Sequence, residues 1–174
     1  MTDETARPPY LIRAITADDG TALTRFYAAL SPDSFEARFH GAGGGIRGSV
    51  ARYLCGPDHD HREGLVTEAI GDDGSPLIIG HVCIEPTTVG EAEMAIAVAD
   101  AWQRHGIGRA MLAEAIVWAQ AHGVERLVAS VRYGNGAILG LIGSMGRPVT
   151  FGECDGGVVD ALVDLREVPV THAA

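Results

Sequence analysis

Short runs of alternating apolar and polar residues open and close this chain, with helically spaced apolar residues between them. Tyr10-Leu11-Ile12-Arg13-Ala14-Ile15 reads as a first strand. Thr16, Asp18 and Asp19 supply helix-start side chains. Leu23, Phe26, Tyr27 and Leu30 then recur at helical spacing, which predicts a helix to about Ala29. Ser31-Pro32-Asp33-Ser34 opens a second short helix with Phe35 and Phe39 on one face. Residues 41–48 hold five glycines, too many for regular structure, and 46–54 fit another short helix. A polar loop at 56–61 precedes strands at 64–70, 76–85 and 91–98, with turns at 72–75 and 86–90. This is an antiparallel meander. Residues 106–122 form the strongest helix pattern, and Gly123 stops it. A strand at 124–131, a helix at 135–145 and strands at 149–153 and 158–165 follow. The order predicts an α+β fold with a mixed sheet. One domain is expected over 10–167, with a disordered lead at 1–9 and a tail at 168–174.

Composition narrows the function classes. The chain has 174 residues, 47% apolar and 21% charged, ordinary for a soluble globular domain. No segment approaches the roughly 18–20 apolar residues of a membrane span. The start, Met1-Thr2-Asp3-Glu4-Thr5, is polar and lacks a signal-peptide core, so a cytoplasmic location is the expectation. A net charge of −10 argues against nucleic-acid binding and mildly favours basic acceptors. Cys55, Cys83 and Cys154 are widely spaced and suggest buried, reduced thiols. His59-Asp60-His61 pairs two imidazoles without a third ligand nearby in sequence, so a solvated loop is expected. His81 falls mid-strand and reads as a satisfied sheet residue. Trp102 and Trp118 read as packing residues.

Two glycine patterns compete as phosphate seats. Gly43-Gly44-Gly45-Ile46-Arg47-Gly48 satisfies G-x-G-x-x-G but follows a helix pattern, whereas dinucleotide binding requires a preceding strand. Gly106-Ile107-Gly108-Arg109-Ala110-Met111 does lie between a strand and a helix. It fails the dinucleotide fingerprint at Met111, and it follows a spacer, 100–105, instead of the strand end itself. No phosphate-loop lysine accompanies either run. Two glycines at a helix start still leave backbone N–H groups open to a phosphate or pyrophosphate.

Gln103, Gly106 and Gly108 match Q/R-x-x-G-x-G/A, and the chain resembles the GNAT (Gcn5-related) N-acetyltransferase superfamily on that motif. Ile96-Ala97-Val98 resembles the family's splayed central strand. Asn135, Leu141 and Gly146 fall where its N-x-x-x-x-x-L-x-x-x-x-G pattern expects them. The resemblance implies a GNAT fold: a mixed, mostly antiparallel sheet with a splayed central strand, flanked by helices. Residues 12–19, 30–39 and 92–100 are similar to the GNAT domain of Pat-type bacterial protein lysine acetyltransferases. Two departures stand out. Many members carry a tyrosine general acid where this chain has Ile142, a tyrosine that Pat-type domains also lack, and a phenylalanine where it has Arg147.

The resemblance implies acetyl-CoA as cofactor and direct attack by an amine on its thioester in a ternary complex. The pyrophosphate would rest on Gln103, Arg104, His105, Gly106, Ile107, Gly108 and Arg109, with Ile96, Val98 and Asn135 as further cofactor contacts. A lysine amine has a pKa of about 10.4, so neutralising it near pH 7.4 costs about 4 kcal/mol. A general base lowers that barrier, and Glu93 is the candidate, with Glu91 and Glu85 as alternatives. A backbone N–H near Val98 would receive the oxyanion. The thiolate would take its proton from water, or from Tyr133 or Ser144. The acceptor is expected to be a protein lysine or another primary amine, read by residues 31–60. A small-molecule amine acetyltransferase and a non-catalytic acyl-CoA-binding regulatory domain are the other readings. Relatives of this kind commonly form homodimers, so that state is admitted.

Overall fold

The computed structural model describes residues 10–41 and 44–166. The expected lead and tail lie outside the described residues, as does Gly43 of the glycine-rich run. In chain order the elements are β1 (Tyr10–Ala14), α1 (Gly20–Ala28), α2 (Pro32–Phe39), α3 (Gly48–Leu54), β2 (Glu63–Ile70), β3 (Pro76–Thr88) and β4 (Glu91–Val98). There follow α4 (Ile107–Ala121), β5 (Arg126–Arg132), α5 (Gly136–Gly143), β6 (Val149–Asp155) and β7 (Val158–Asp164). The strands form one sheet in the order β1-β2-β3-β4-β5-β7-β6. All neighbours are antiparallel except β4 and β5, so the sheet is mixed and mostly antiparallel, as expected.

The β4–β5 pair runs parallel because α4 crosses over between them. It holds for only three pairs: Glu91–Arg126, Ala92–Leu127 and Glu93–Val128. Beyond Glu93 the two strands part, which is the splay that the resemblance implied. One expected boundary is corrected. β3 continues past Glu85 to Thr88, through Pro86. The register shifts between Pro86 and Thr88, so the missing N–H falls at an irregularity where the ladder is already interrupted.

Helices cover both faces. On one, Ile107, Met111, Leu112 and Ala115 of α4 pack with Ile79, Val82, Ile84 and Met94. On the other, Leu23, Phe26, Tyr27 and Phe35 of α1 and α2 pack with Val66, Ile78, Cys83 and Ala97. Arg13 ties the sheet to the first turn: it donates to both oxygens of Asp19 at 2.8 Å and to Glu68 at 2.9 Å. No helix among the described residues is long and apolar enough to cross a membrane. Cys55 and Cys83 are buried thiols, but Cys154 is exposed, because β6 is an edge strand whose residues face solvent.

Under α1, Tyr27 and His81 are both fully buried, with the Tyr27 hydroxyl 2.7 Å from His81 Nδ1. Nε2 of His81 has no partner among the described residues. Burial, seconded by the Arg38 charge, pushes this imidazole down to about 3, so it is neutral at physiological pH. The unfolded chain therefore takes up a proton below about 6.5 that the folded chain refuses. Stability is flat above that pH and falls on acidification toward 3, by up to about 1.4 kcal/mol per pH unit from this group. Urea midpoints measured from pH 8 to 4 are expected to show that loss, and His81→Gln to flatten it. Asp19 does not produce the same window. The Arg13 hydrogen bonds hold its carboxyl down at about 2, so its contribution is lost only below its ordinary 3.8.

Candidate functional site

The parting of β4 and β5 opens a cleft of about 1030 Å³. Its walls come from β4 between Glu93 and Val98, the end of β5, the starts of α4 and α5, and one side of α2. Antiparallel pairing alternates which residues bond the neighbour strand. Ala99 N–H donates to Ile79 O at 2.8 Å, in register with the β3–β4 pairs. That phase turns the N–H groups of Ile96 and Val98 away from β3, toward the open gap.

At one end of the gap α4 begins without a side-chain cap. Gly106 takes the left-handed conformation at φ 82°, and the first intrahelical bond runs from Ala110 N–H to Gly106 O at 3.0 Å. The N–H groups of Ile107, Gly108 and Arg109 have no carbonyl within the helix to bond. A Cβ at Gly108 would stand 3.2 Å from Leu141 Cδ2 and 3.8 Å from Val98 Cγ2, filling the space before them. Bare N–H groups, a positive dipole end and two side-chain-free positions fit a pyrophosphate. Arg104 and Arg109 are exposed on the cleft wall and have no ion-pair partner among the described residues. Ile107 is buried in the core, so it offers the site only its backbone. His105 Nδ1 lies 2.8 Å from Gln103 O, bracing its own loop.

Gln103 faces a different task from the one its motif suggests. Its Nε2 donates to Val98 O at 3.1 Å and to Ser34 Oγ at 3.1 Å, fastening the loop to β4 and α2. Asp100 completes this junction. It accepts from Ser31 N–H at 2.9 Å, Ser31 Oγ at 2.7 Å and Ser34 Oγ at 2.7 Å. Ser31 also caps α2, its Oγ accepting from Ser34 N–H. These bonds hold α2 against the loop that leads into α4. Asp100→Ala removes the shared acceptor, and we expect roughly tenfold weaker acetyl-CoA binding, the scale of one lost charge-assisted bond, measured by calorimetry.

Asn135 lines the cleft, and its Oδ1 accepts from Ile138 N–H at 3.3 Å as the cap of α5. Its amide NH2 is unengaged among the described residues. Of the three candidate carboxylates only Glu93 lines the cleft, exposed and without a hydrogen-bond partner among the described residues. Glu91 pairs with Arg126 at 3.3 Å. Glu85 takes Arg62 at 2.6 and 2.8 Å and the Tyr53 hydroxyl at 3.0 Å. Both are spoken for outside the cleft. Tyr133 stands at the rim, 79% exposed, while the Ser144 hydroxyl donates to Leu141 O at 2.7 Å and does not line the cleft. Ile142 is core, so no hydroxyl occupies that position.

The 56–61 loop is organised by Asp58, which accepts from the N–H groups of Asp60, His61 and Arg62. No three metal-ligating side chains cluster among the described residues. Sequence reasoning missed Arg38 and Ser34 on the cleft wall. Arg38 carried a signal: a lone cation within the turn of α2 that presents Phe35 and Phe39 to the core.

The sequence profile of the acetyltransferase (GNAT) family matches residues 23–146. No curated protein sequence matches significantly. The GNAT domain of PAT from S. lividans superposes with a TM-score of 0.77 at 26% identity, covering 88% of this chain and 89% of that one. The putative acetyltransferase yncA of Salmonella typhimurium, solved with acetyl-CoA, gives 0.68 at 21% identity, over 95% and 99%. The phosphinothricin acetyltransferase of Sinorhizobium meliloti, also with acetyl-CoA, gives 0.68 at 15% identity, over 88% and 86%. With the splayed strand, the uncapped α4 and the profile match in agreement, the chain belongs to the acetyltransferase (GNAT) family and is an acetyl-CoA-dependent N-acetyltransferase.

Proposed function

We propose that the chain acetylates a primary amine, a protein lysine in the first instance, with Glu93 as general base. The observation that carries this is Glu93 itself, the one candidate carboxylate that lines the cleft, without a hydrogen-bond or ion-pair partner among the described residues. Acetyl-CoA, when bound, supplies an activated acetyl thioester. The N–H groups at the start of α4, with Arg104 and Arg109, hold its pyrophosphate. The unengaged Asn135 amide and the apolar faces of Ile96 and Val98 line its pantetheine arm. Glu93 takes the amine proton, directly or through water. The open N–H of Val98, or of Ile96, donates to the carbonyl oxygen as charge grows there. A departing thiolate with a pKa near 8.5 needs no side-chain acid, which accommodates Ile142. The net charge of −10 draws basic acceptors, and the likeness to Pat-type domains favours lysine among them.

Thiol release from acetyl-CoA in the presence of a lysine-bearing peptide tests the proposal. Turnover dependent on both components is expected. Turnover with free amines alone would select the small-molecule reading. Tight cofactor binding with no turnover on any amine would select a regulatory domain.

A further inference from the structure

We propose that Arg38 is a carboxylate-recognition site in the acceptor half of the cleft, so that the amine acetylated here carries a carboxylate near its reacting nitrogen. The inference rests on the acetyltransferase reading and names its substrate class. Arg38 lies on α2 and lines the cleft. Its Nη2 reaches Cys83 Sγ at 3.2 Å, and its guanidinium carbon sits 4.6 Å over the Phe39 ring. Cys83 faces Ala95 across the β3–β4 ladder. Ala95 and Glu93 share one face of β4, about 7 Å apart along the strand. The guanidinium therefore stands beside the proposed base. Val98, nearest the phosphate seat, is about 10 Å further along from Ala95, and that seat has Arg104 and Arg109 of its own.

Arg38 has no ion-paired carboxylate among the described residues; the Glu93 charge acts on it only from beyond ion-pair distance. Its Nε is enclosed and has no hydrogen-bond partner among the described residues. Arg13, Arg62, Arg126, Arg132 and Arg166 pair with carboxylates, whereas the unpaired Arg104 and Arg109 are exposed to solvent. Behind Arg38 stand a thiol, a phenol and an imidazole, Cys83, Tyr27 and His81, and burial keeps the first two protonated and the third neutral. Removing a guanidinium from water without an ion-pair partner in contact is unfavourable, and an arriving anion relieves it. The planar guanidinium fork matches a carboxylate in particular. Glu93 for the ammonium and Arg38 for the carboxylate together complement a zwitterion. The carboxylate can belong to a free amino acid or to an acidic residue beside a target lysine.

Paired acceptors distinguish these sources. One pair is phenylalanine and phenethylamine; the other is a lysine peptide with glutamate or glutamine beside the lysine. Wild type is expected to prefer the carboxylate-bearing member of at least one pair by tenfold or more in kcat/KM, and the pair concerned identifies the source. In Arg38→Gln the preference should collapse toward one, and Arg38→Lys should restore part of it. Each ratio is taken within one protein, so a reduced folded fraction cancels. No preference in either pair, or a preference that survives Arg38→Gln, overturns the proposal. Product binding decides the point independently of turnover. N-acetylphenylalanine should bind the coenzyme A-saturated wild type more tightly than N-acetylphenethylamine does, and Arg38→Gln should remove the difference. Equal or absent binding of both rejects the site. Selective product binding without transfer to any amine would reject the acetyltransferase reading and leave the carboxylate site standing.

Discussion

Glu93→Gln is expected to lower turnover by roughly 10²–10⁴-fold while acetyl-CoA binds as before. The substitution keeps the size and hydrogen-bonding capacity of the side chain and removes only its ability to take a proton. Its solvent-facing position on β4 makes a folding defect a poor explanation for lost rate. The pH profile provides a second signature. Without a base, the reaction waits for the free amine, so the variant's rate should climb steadily toward the amine's own pKa near 10.4. Glu91→Gln and Glu85→Gln serve as comparisons. Glu85→Gln breaks the Arg62 pair and tests stability; neither should reproduce the rate loss. An unaltered rate in Glu93→Gln removes Glu93 from the base role.

Gly108→Val is expected to weaken acetyl-CoA binding by at least 10²-fold. An added Cβ would meet Leu141 Cδ2 at 3.2 Å, and the two further methyls of valine would occupy the space over the N–H groups of the first turn. Leu141 can move by a few tenths of an ångström for alanine, so Gly108→Ala should lose less. The helix itself should persist, because its packing residues, Met111, Leu112 and Ala115, are untouched. Gly106→Ala acts differently. At φ 82° a Cβ costs about 1–2 kcal/mol whatever the space around it, so stability and binding fall together. Circular-dichroism melts beside calorimetric titrations separate the two effects.

Much of the fold was legible because its signals are local. The period-two run of β4, the uninterrupted helix formers of α4 and the Asp-Asp-Gly-Ser turn before β3 each declare themselves within a dozen residues. Pro86 misled because proline reads as a stop, and only the paired strand reveals that its missing N–H falls at a register shift. The uncapped start of α4 was legible as well, since glycine spacing and helix start lie together in sequence. The remainder of the cleft was not. Asp100 meets Ser31 and Ser34 across more than sixty residues, and the motif position Gln103 turns out to fasten that junction. On the sequence Glu93 was the candidate base, with Glu85 and Glu91 as alternatives. Their pairing with Arg62 and Arg126 is what sets them apart, and it depends on the packed sheet. Arg38 is informative for having no ion-paired carboxylate among the described residues, which no sequence pattern displays.

Calorimetric titration of acetyl-CoA into the wild-type protein tests the central claim most directly. One site per chain is predicted, weakened in Gly108→Val and Asp100→Ala and unchanged in Glu93→Gln. Absence of binding at millimolar acetyl-CoA, or binding indifferent to Gly108→Val, would contradict the account.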